Sequence, residues 1–136
     1  MKLDFDCVRD ILICVEEHTG LRQNCYFVDV NLMNEMLQYL GPIEPTPVQP
    51  YQQVLIEKYG NDTLYYHVQQ CGENALMTRV MHMPVYQFMT TGLSLEGSRV
   101  LARIRTDDRW AKAKAVLDEI PVASIVDLCA TILSHV

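Results

Sequence analysis

A helix-rich α+β domain on a winged-helix plan is predicted by three features of the 136-residue chain. Two short helical patterns follow one another within residues 51–71, two β-leaning runs flank His82-Met83-Pro84, and a helix with outward arginines begins after Ser94. Helices, a two-stranded wing and a basic helix in that order make the plan, with extra helices filling the C-terminal end. A chain of this length is expected to fold as a single domain, residues 1–136, around one core.

Taken in order, Phe5, Val8, Leu12 and Val15 recur at spacings of three and four, so residues 4–17 form an amphipathic helix that Gly20 ends. Residues 26–30 (Tyr-Phe-Val-Asp-Val) are short and β-prone, and Asn31 then caps a helix carrying Leu32, Met33, Met36, Leu37 and Leu40. Pro42, Pro45, Pro47 and Pro50 exclude a regular helix or central strand, which makes residues 41–50 an extended internal loop. Residues 52–59 are a short helix, and Asn61 or Asp62 caps the next, in which Leu64, Val68 and Cys71 face inward while Tyr65, Tyr66, Gln69 and Gln70 stay outside. Residues 75–81 and 85–90 pair as a hairpin. Ser94 caps a helix with Val100, Leu101 and Ile104 inward; another spans residues 107–119, and Pro121 opens the last. The stripe Val122, Ile125, Cys129, Ile132 and Val136 either closes the domain or forms a two-fold contact, and closing the domain is the preferred reading.

The formal net charge of −6 is uneven. Residues 1–62 carry ten acids against Lys2, Arg9, Arg22 and Lys58, while residues 63–136 balance seven acids with seven bases. Six of the bases fall within residues 99–114: Arg99, Arg103, Arg105, Arg109, Lys112 and Lys114. No apolar run approaches a membrane span, and Met1-Lys2-Leu3-Asp4-Phe5-Asp6 places acids where a signal peptide needs a hydrophobic block. A cytoplasmic location without membrane association is expected, with Cys7, Cys14, Cys25, Cys71 and Cys129 as buried free thiols.

Three ordered segments carry a resemblance: residues 1–12 (MKLDFDCVRDIL), the Tyr66-His67 pair within a helix, and Leu93-Ser94-Leu95-Glu96-Gly97 leading to Ile104-Arg105 and Trp110. On these the chain resembles phage and prophage proteins grouped under domain of unknown function 2513. The resemblance implies a winged-helix-like domain of phage or prophage origin and no particular activity. Where such proteins have Ala-Gly-Leu after the Tyr-His helix, this chain reads Asn74-Ala75-Leu76. Alanine takes a left-handed conformation less well than glycine, so either Asn74 makes the turn or the helix ends at Gly72.

No constellation for catalysis stands out. His67 and Cys71 lie one helical turn apart, as two metal ligands can, but no matching ligand cluster or C-x-x-C accompanies them. The simpler account makes Cys71 core and gives His67 a hydrogen bond to a neighbouring element. Phosphate-cradling glycine loops, G-x-S-x-G and H-E-x-x-H are missing, and the adjacent Asp107-Asp108 and Glu16-Glu17 pairs point apart on a helix. A non-enzymatic protein without cofactor or metal is expected.

Two roles remain. In one, the helix at residues 62–71 enters a major groove: Gln69 or Gln70 reads adenine, and Tyr65, Tyr66, Arg79 and the cations Arg99, Arg103, Arg105, Arg109 and Lys112 hold phosphates. That helix has no Lys or Arg of its own, although cations usually supply most non-specific affinity. In the other, an aromatic and methionine-rich surface, drawn from seven Tyr and seven Met, docks an unknown protein partner. Charge favours the protein partner over nucleic acid, and either a monomer or a homodimer fits.

Overall fold

The computed structural model describes residues 1–41 and 44–136. Among them the order is α1 (Phe5–Glu17), β1 (Cys25–Val28), α2 (Val30–Leu40), α3 (Pro50–Tyr59), α4 (Asn61–Glu73), β2 (Met77–Thr78), β3 (Gln87–Thr90), β4 (Gly92–Leu93), α5 (Leu95–Ile104), α6 (Asp107–Glu119) and α7 (Ile125–His135). The architecture is the expected helix-rich α+β one, with small antiparallel sheets beside the helices.

Capping explains most helix starts. Asp4, Ser94, Thr106 and Ser124 each accept from the backbone N–H three residues on, at the heads of α1, α5, α6 and α7. Ser124 therefore displaces Pro121 as the start of the last helix. In α2 the cap is Asp29, accepting from Leu32 N–H at 3.2 Å, and not Asn31, whose amide donates to Asp62 at 2.8 Å. Pro50 belongs to α3 as its first residue, where no N–H is needed. The proline-rich connector is thus shorter than expected, and its Pro42 and Ile43 lie outside the described residues. Neither Asn61 nor Asp62 caps α4. Asn61 reaches α2 instead, accepting from Val30 N–H at 2.9 Å and donating to Asp29 at 3.0 Å.

The end of α4 departs from both expected alternatives. The helix runs through Glu73, and Ala75 itself takes the left-handed conformation, with φ at 61°. Leu76 N–H donates to Cys71 O at 3.0 Å and Ala75 N–H to Gly72 O at 3.3 Å, a Schellman arrangement that satisfies the last carbonyls. A Cβ in this region is disfavoured, and glycine's extra freedom when unfolded offsets only part of the gain from removing it. Ala75→Gly is expected to raise stability by about 0.5–1 kcal/mol, read as a higher urea midpoint at unchanged slope.

Strand pairing also corrects the expected hairpin. The run at 85–90 yields β3, which pairs antiparallel with β1 from Cys25↔Thr90 to Val28↔Gln87, while β2 pairs with β4 through Met77↔Leu93 and Thr78↔Gly92. The two arms meet directly through the Met81↔Met89 bridge and the Thr90 hydroxyl, which donates to Thr78 O at 2.8 Å. The other edge of β1 is closed by α3. Gln52, 1% exposed, accepts from Val28 N–H at 2.9 Å and donates to Val28 O at 2.6 Å, and Tyr51 OH accepts from Tyr26 N–H at 2.8 Å. These side chains act as a substitute strand, so β1 presents no row of unpaired groups there.

The main core joins α1, α4, α5, α6 and α7 around Ile11, Leu12, Leu64, Val68, Leu101 and Ile132. Ile125, Leu128, Cys129 and Ile132 are buried in it with Val122 and Val136 against its margin, so the last helix's stripe closes the domain. A second cluster of Val28, Met33 and Tyr86 seats α2 on the β1–β3 pair. Phe27 and Phe88 meet edge to face at 6.4 Å.

Candidate functional site

Helix α4 is the centre of the molecule and not an exposed reading helix. It packs against α1, α2, α3, β1 and β2, and Leu64, Tyr65, His67, Val68 and Cys71 are all buried. Tyr65, 4% exposed, is thereby corrected from a surface contact to a core residue; burial lifts its phenol to about 12, with the Asp29 charge adding to the effect. Tyr66, Gln69 and Gln70 are half-buried, and Tyr66 packs edge-on against His67. No major groove can receive a helix covered on this many sides, so duplex reading by residues 62–71 is withdrawn.

His67 is fully buried and its ring is fully engaged. Nε2 accepts from Asp4 N–H at 2.8 Å, and Nδ1 lies 2.7 Å from Thr63 O. A backbone N–H can only donate and a carbonyl only accept, so the ring is the neutral form with its proton on Nδ1. With both nitrogens occupied, it has no lone pair for a metal beside Cys71. All five cysteines are free and buried, and burial holds the Cys7 thiol up at about 12 and that of Cys129 at about 11. The thiols of Cys7 and Cys129 are thereby poor nucleophiles.

The basic stretch divides by contact. Arg105 pairs with Glu16, Lys114 with Asp6, and Arg9, from α1, closes the α5–α6 corner. Arg9 donates to Ile104 O at 2.8 Å, Arg105 O at 2.7 Å and Asp107 at 3.2 Å, with its guanidinium 5.7 Å from the Trp110 ring. Its side chain is 13% exposed whereas that of Asp107 is fully exposed, so the carbonyl contacts, which neutralise the negative end of α5, outweigh the ion pair.

Asp6 ties α1 to α6, accepting from Trp110 Nε1–H at 2.7 Å and from Lys114 at 3.3 Å. Burial alone would raise its carboxyl; the hydrogen bonds from Trp110 and Lys114 and the Lys114 charge outweigh that, and it lies below its usual 3.8. The unfolded chain therefore takes up this proton first, so the contribution is complete above 3.8 and is lost as the pH falls through the lower folded-state value. Asp6→Asn should flatten the acid side of a stability-versus-pH curve measured by urea unfolding; an unchanged acid limb would contradict the assignment.

Of the remaining cations, Arg103 donates to Leu133 O and Val136 O at 3.2 and 3.0 Å, and Arg109 to Ala102 O at 2.7 Å. With Lys112 they line an open groove of about 480 Å³ between α5, α6 and the end of α7. Arg99 is exposed on α5. Arg79, also exposed, sits past β2 with φ at 48°.

A second surface was not singled out in the sequence. Between β2 and β3 the chain projects Met81, Met83 and Val85, which are 50%, 76% and 57% exposed. The projection is shaped at its base by the Met81–Met89 backbone pair at 2.9 and 2.8 Å, by Gln87 N–H on Pro84 O at 2.8 Å and by the Gln87 amide on Met83 O at 3.2 Å. Met81 and Val85 fall at the facing ends of the two β-leaning runs and Met83 in the turn between them, so nothing in the sequence marks them as one surface. Among the described residues no three His, Cys, Asp or Glu side chains gather as a metal site would need, and no helix is long and apolar enough to cross a membrane.

No curated protein and no solved structure matches the chain. The sequence model of one family, described as "Hypothetical protein (DUF2513)", matches residues 2–123, and the chain belongs to that family of unknown function.

Proposed function

We propose that this is a non-catalytic protein-docking module of phage or prophage origin, acting in the bacterial cytoplasm, that offers the projection at residues 81–85 of a winged-helix-like scaffold to a partner protein. The exposure of Met81, Met83 and Val85 together carries the reading. Single exposed apolar residues are ordinary, but three within five positions concentrate exposed apolar surface on one pinned projection, and methionine adapts to irregular partners. Shaping by backbone bonds leaves less freedom to lose on docking than a mobile loop would. The buried thiols and the engaged His67 are consistent with a role that needs no chemistry.

The test is a photo-crosslinking residue at position 83 and, separately, at position 62 on α4, in the host cell. The reading expects a discrete adduct from 83 and none from 62. The captured protein is then titrated with purified wild-type and Met83→Ser chains, and at least tenfold weaker binding by the variant at unchanged Tm is expected. Equal affinity of the two chains would remove the projection from the interface.

A further inference from the structure

We propose that Cys14 and Cys25 form an oxidation site, a thiol pair that hydrogen peroxide converts to a disulfide at the inner wall of the cleft between α1 and α3. The two side chains are hydrogen-bonded to each other, the Cys14 thiol donating to Cys25 Sγ. The cleft, about 520 Å³, is lined by Ile13, Val54 and Leu55 together with Cys14, His18 and Tyr51. Contacts that do not involve the Cys25 sulfur close the same cluster. His18 Nδ1 lies 3.8 Å from Cys14 Sγ, the His18 ring stacks on Tyr51 with centroids 4.2 Å apart, and Tyr51 OH accepts at 2.8 Å from the N–H of Tyr26, which follows Cys25 in the chain. Cys14 thus faces the cleft, and Cys25, fully buried, touches it from behind. A peroxide molecule is little larger than water and fits such a cleft.

Charge within the pair supports the geometry. The hydrogen bond from Cys14, joined by those from Tyr51 OH and Tyr26 N–H, outweighs burial and holds Cys25 below the usual thiol value, whereas donating that bond, together with burial, pushes Cys14 up. The pair therefore loses its first proton more readily than Cys7, Cys71 or Cys129, whose thiols burial pushes up. Cys25 stores the negative charge and Cys14 meets the oxidant. Cys14 Sγ attacks one peroxide oxygen as its proton crosses the hydrogen bond to Cys25; the O–O bond breaks, hydroxide leaves, and Cys14 becomes a sulfenic acid, oxidised by two electrons. Cys25 Sγ then attacks Cys14 Sγ, the S–S bond forms, and the sulfenic oxygen leaves with the Cys25 proton as water. The bond ties the last turn of α1 to the start of β1 across residues 15–24. It is a modification of the domain, not a turnover, and it does not rest on the docking proposed above.

The test treats the folded protein with a small excess of hydrogen peroxide, unfolds it in acid, alkylates the remaining thiols and maps the digest by mass spectrometry. The linked pair Cys14–Cys25 is expected, with Cys7, Cys71 and Cys129 alkylated as free thiols, and a dithiol reductant is expected to return both linked positions to the alkylated form. Absence of any link, or links scattered over the other three cysteines, overturns the site, and this map needs no variant. Cys25→Ser then tests the division of roles. Without the stored charge, Cys14 is expected to oxidise about tenfold more slowly and to stop at a sulfenic acid that a cyclic 1,3-diketone traps. Oxidation of Cys14 at the wild-type rate in that variant would show a lone thiol and not a pair.

Discussion

Gly97→Ala is expected to destabilise the protein by about 3 kcal/mol, although alanine in a helix interior ordinarily improves on glycine by about 1 kcal/mol. A Cβ at position 97 would lie 2.2 Å from the carbonyl oxygen of Leu76. That oxygen is fixed from two sides, because it also accepts from Ser94 N–H at 3.0 Å while Ser94 Oγ donates to Ala75 O at 2.6 Å. Backbone meets backbone here, so relief requires α5 to separate from the turn after α4. Gly72 is a useful contrast. A Cβ there would press on the Phe88 ring, at 2.7 and 2.9 Å, with Val80 Cγ1 at 3.5 Å, and side chains give way more readily than backbone. Gly72→Ala should cost about 1 kcal/mol. Urea midpoints at constant slope measure both, and a stabilised Gly97→Ala chain would show that α5 does not sit against Leu76 as described.

His67→Leu is the second large effect, expected to cost about 2–3 kcal/mol, because it leaves Asp4 N–H without an acceptor beneath the start of α1. Leucine fills much the same apolar space, so lost packing contributes little. His67→Gln can return an acceptor near the position of Nε2 and should recover part of the loss. Equal losses in the two variants would mean that ring shape, and not the bond to Asp4, is what α1 requires.

These two residues also show what the resembling segments do. Asp4 meets His67, Arg9 meets the carbonyls of Ile104 and Arg105, Asp6 meets Trp110, and Gly97 admits Leu76. Residues far apart in the chain are thereby joined around α1, α4, α5 and α6, which makes them scaffold.

Periodicity and caps made α1, α5 and α6 legible, since the signals for a helix lie within a few residues of one another. Ala75 was illegible because tertiary packing of Leu76 overrides a backbone preference of about 1–2 kcal/mol. The partner of β3 was missed for a different reason. Cys25–Val28 lies some sixty residues away, and nothing local distinguishes it from the nearer run at 75–81. Tyr65 was misplaced because a single stripe of Leu64, Val68 and Cys71 describes a helix covered on one side, whereas α4 is covered by five elements. Arg103 and Arg109 read as free cations because their acceptors are main-chain carbonyls, which carry no sequence mark. His67 as a residue hydrogen-bonded to a neighbouring element, and Cys71 as core, were read correctly.

The placement of α4 inside the molecule decides between a scaffold helix and a reading head, and native-state amide hydrogen exchange measures it directly. Amides of Leu64, Tyr65, His67 and Val68 are predicted to exchange among the slowest in the chain, opening only with global unfolding, while Met83 and Val85 exchange quickly. Exchange of the α4 amides at the rate of the projection would contradict this structure of the domain and everything inferred from it.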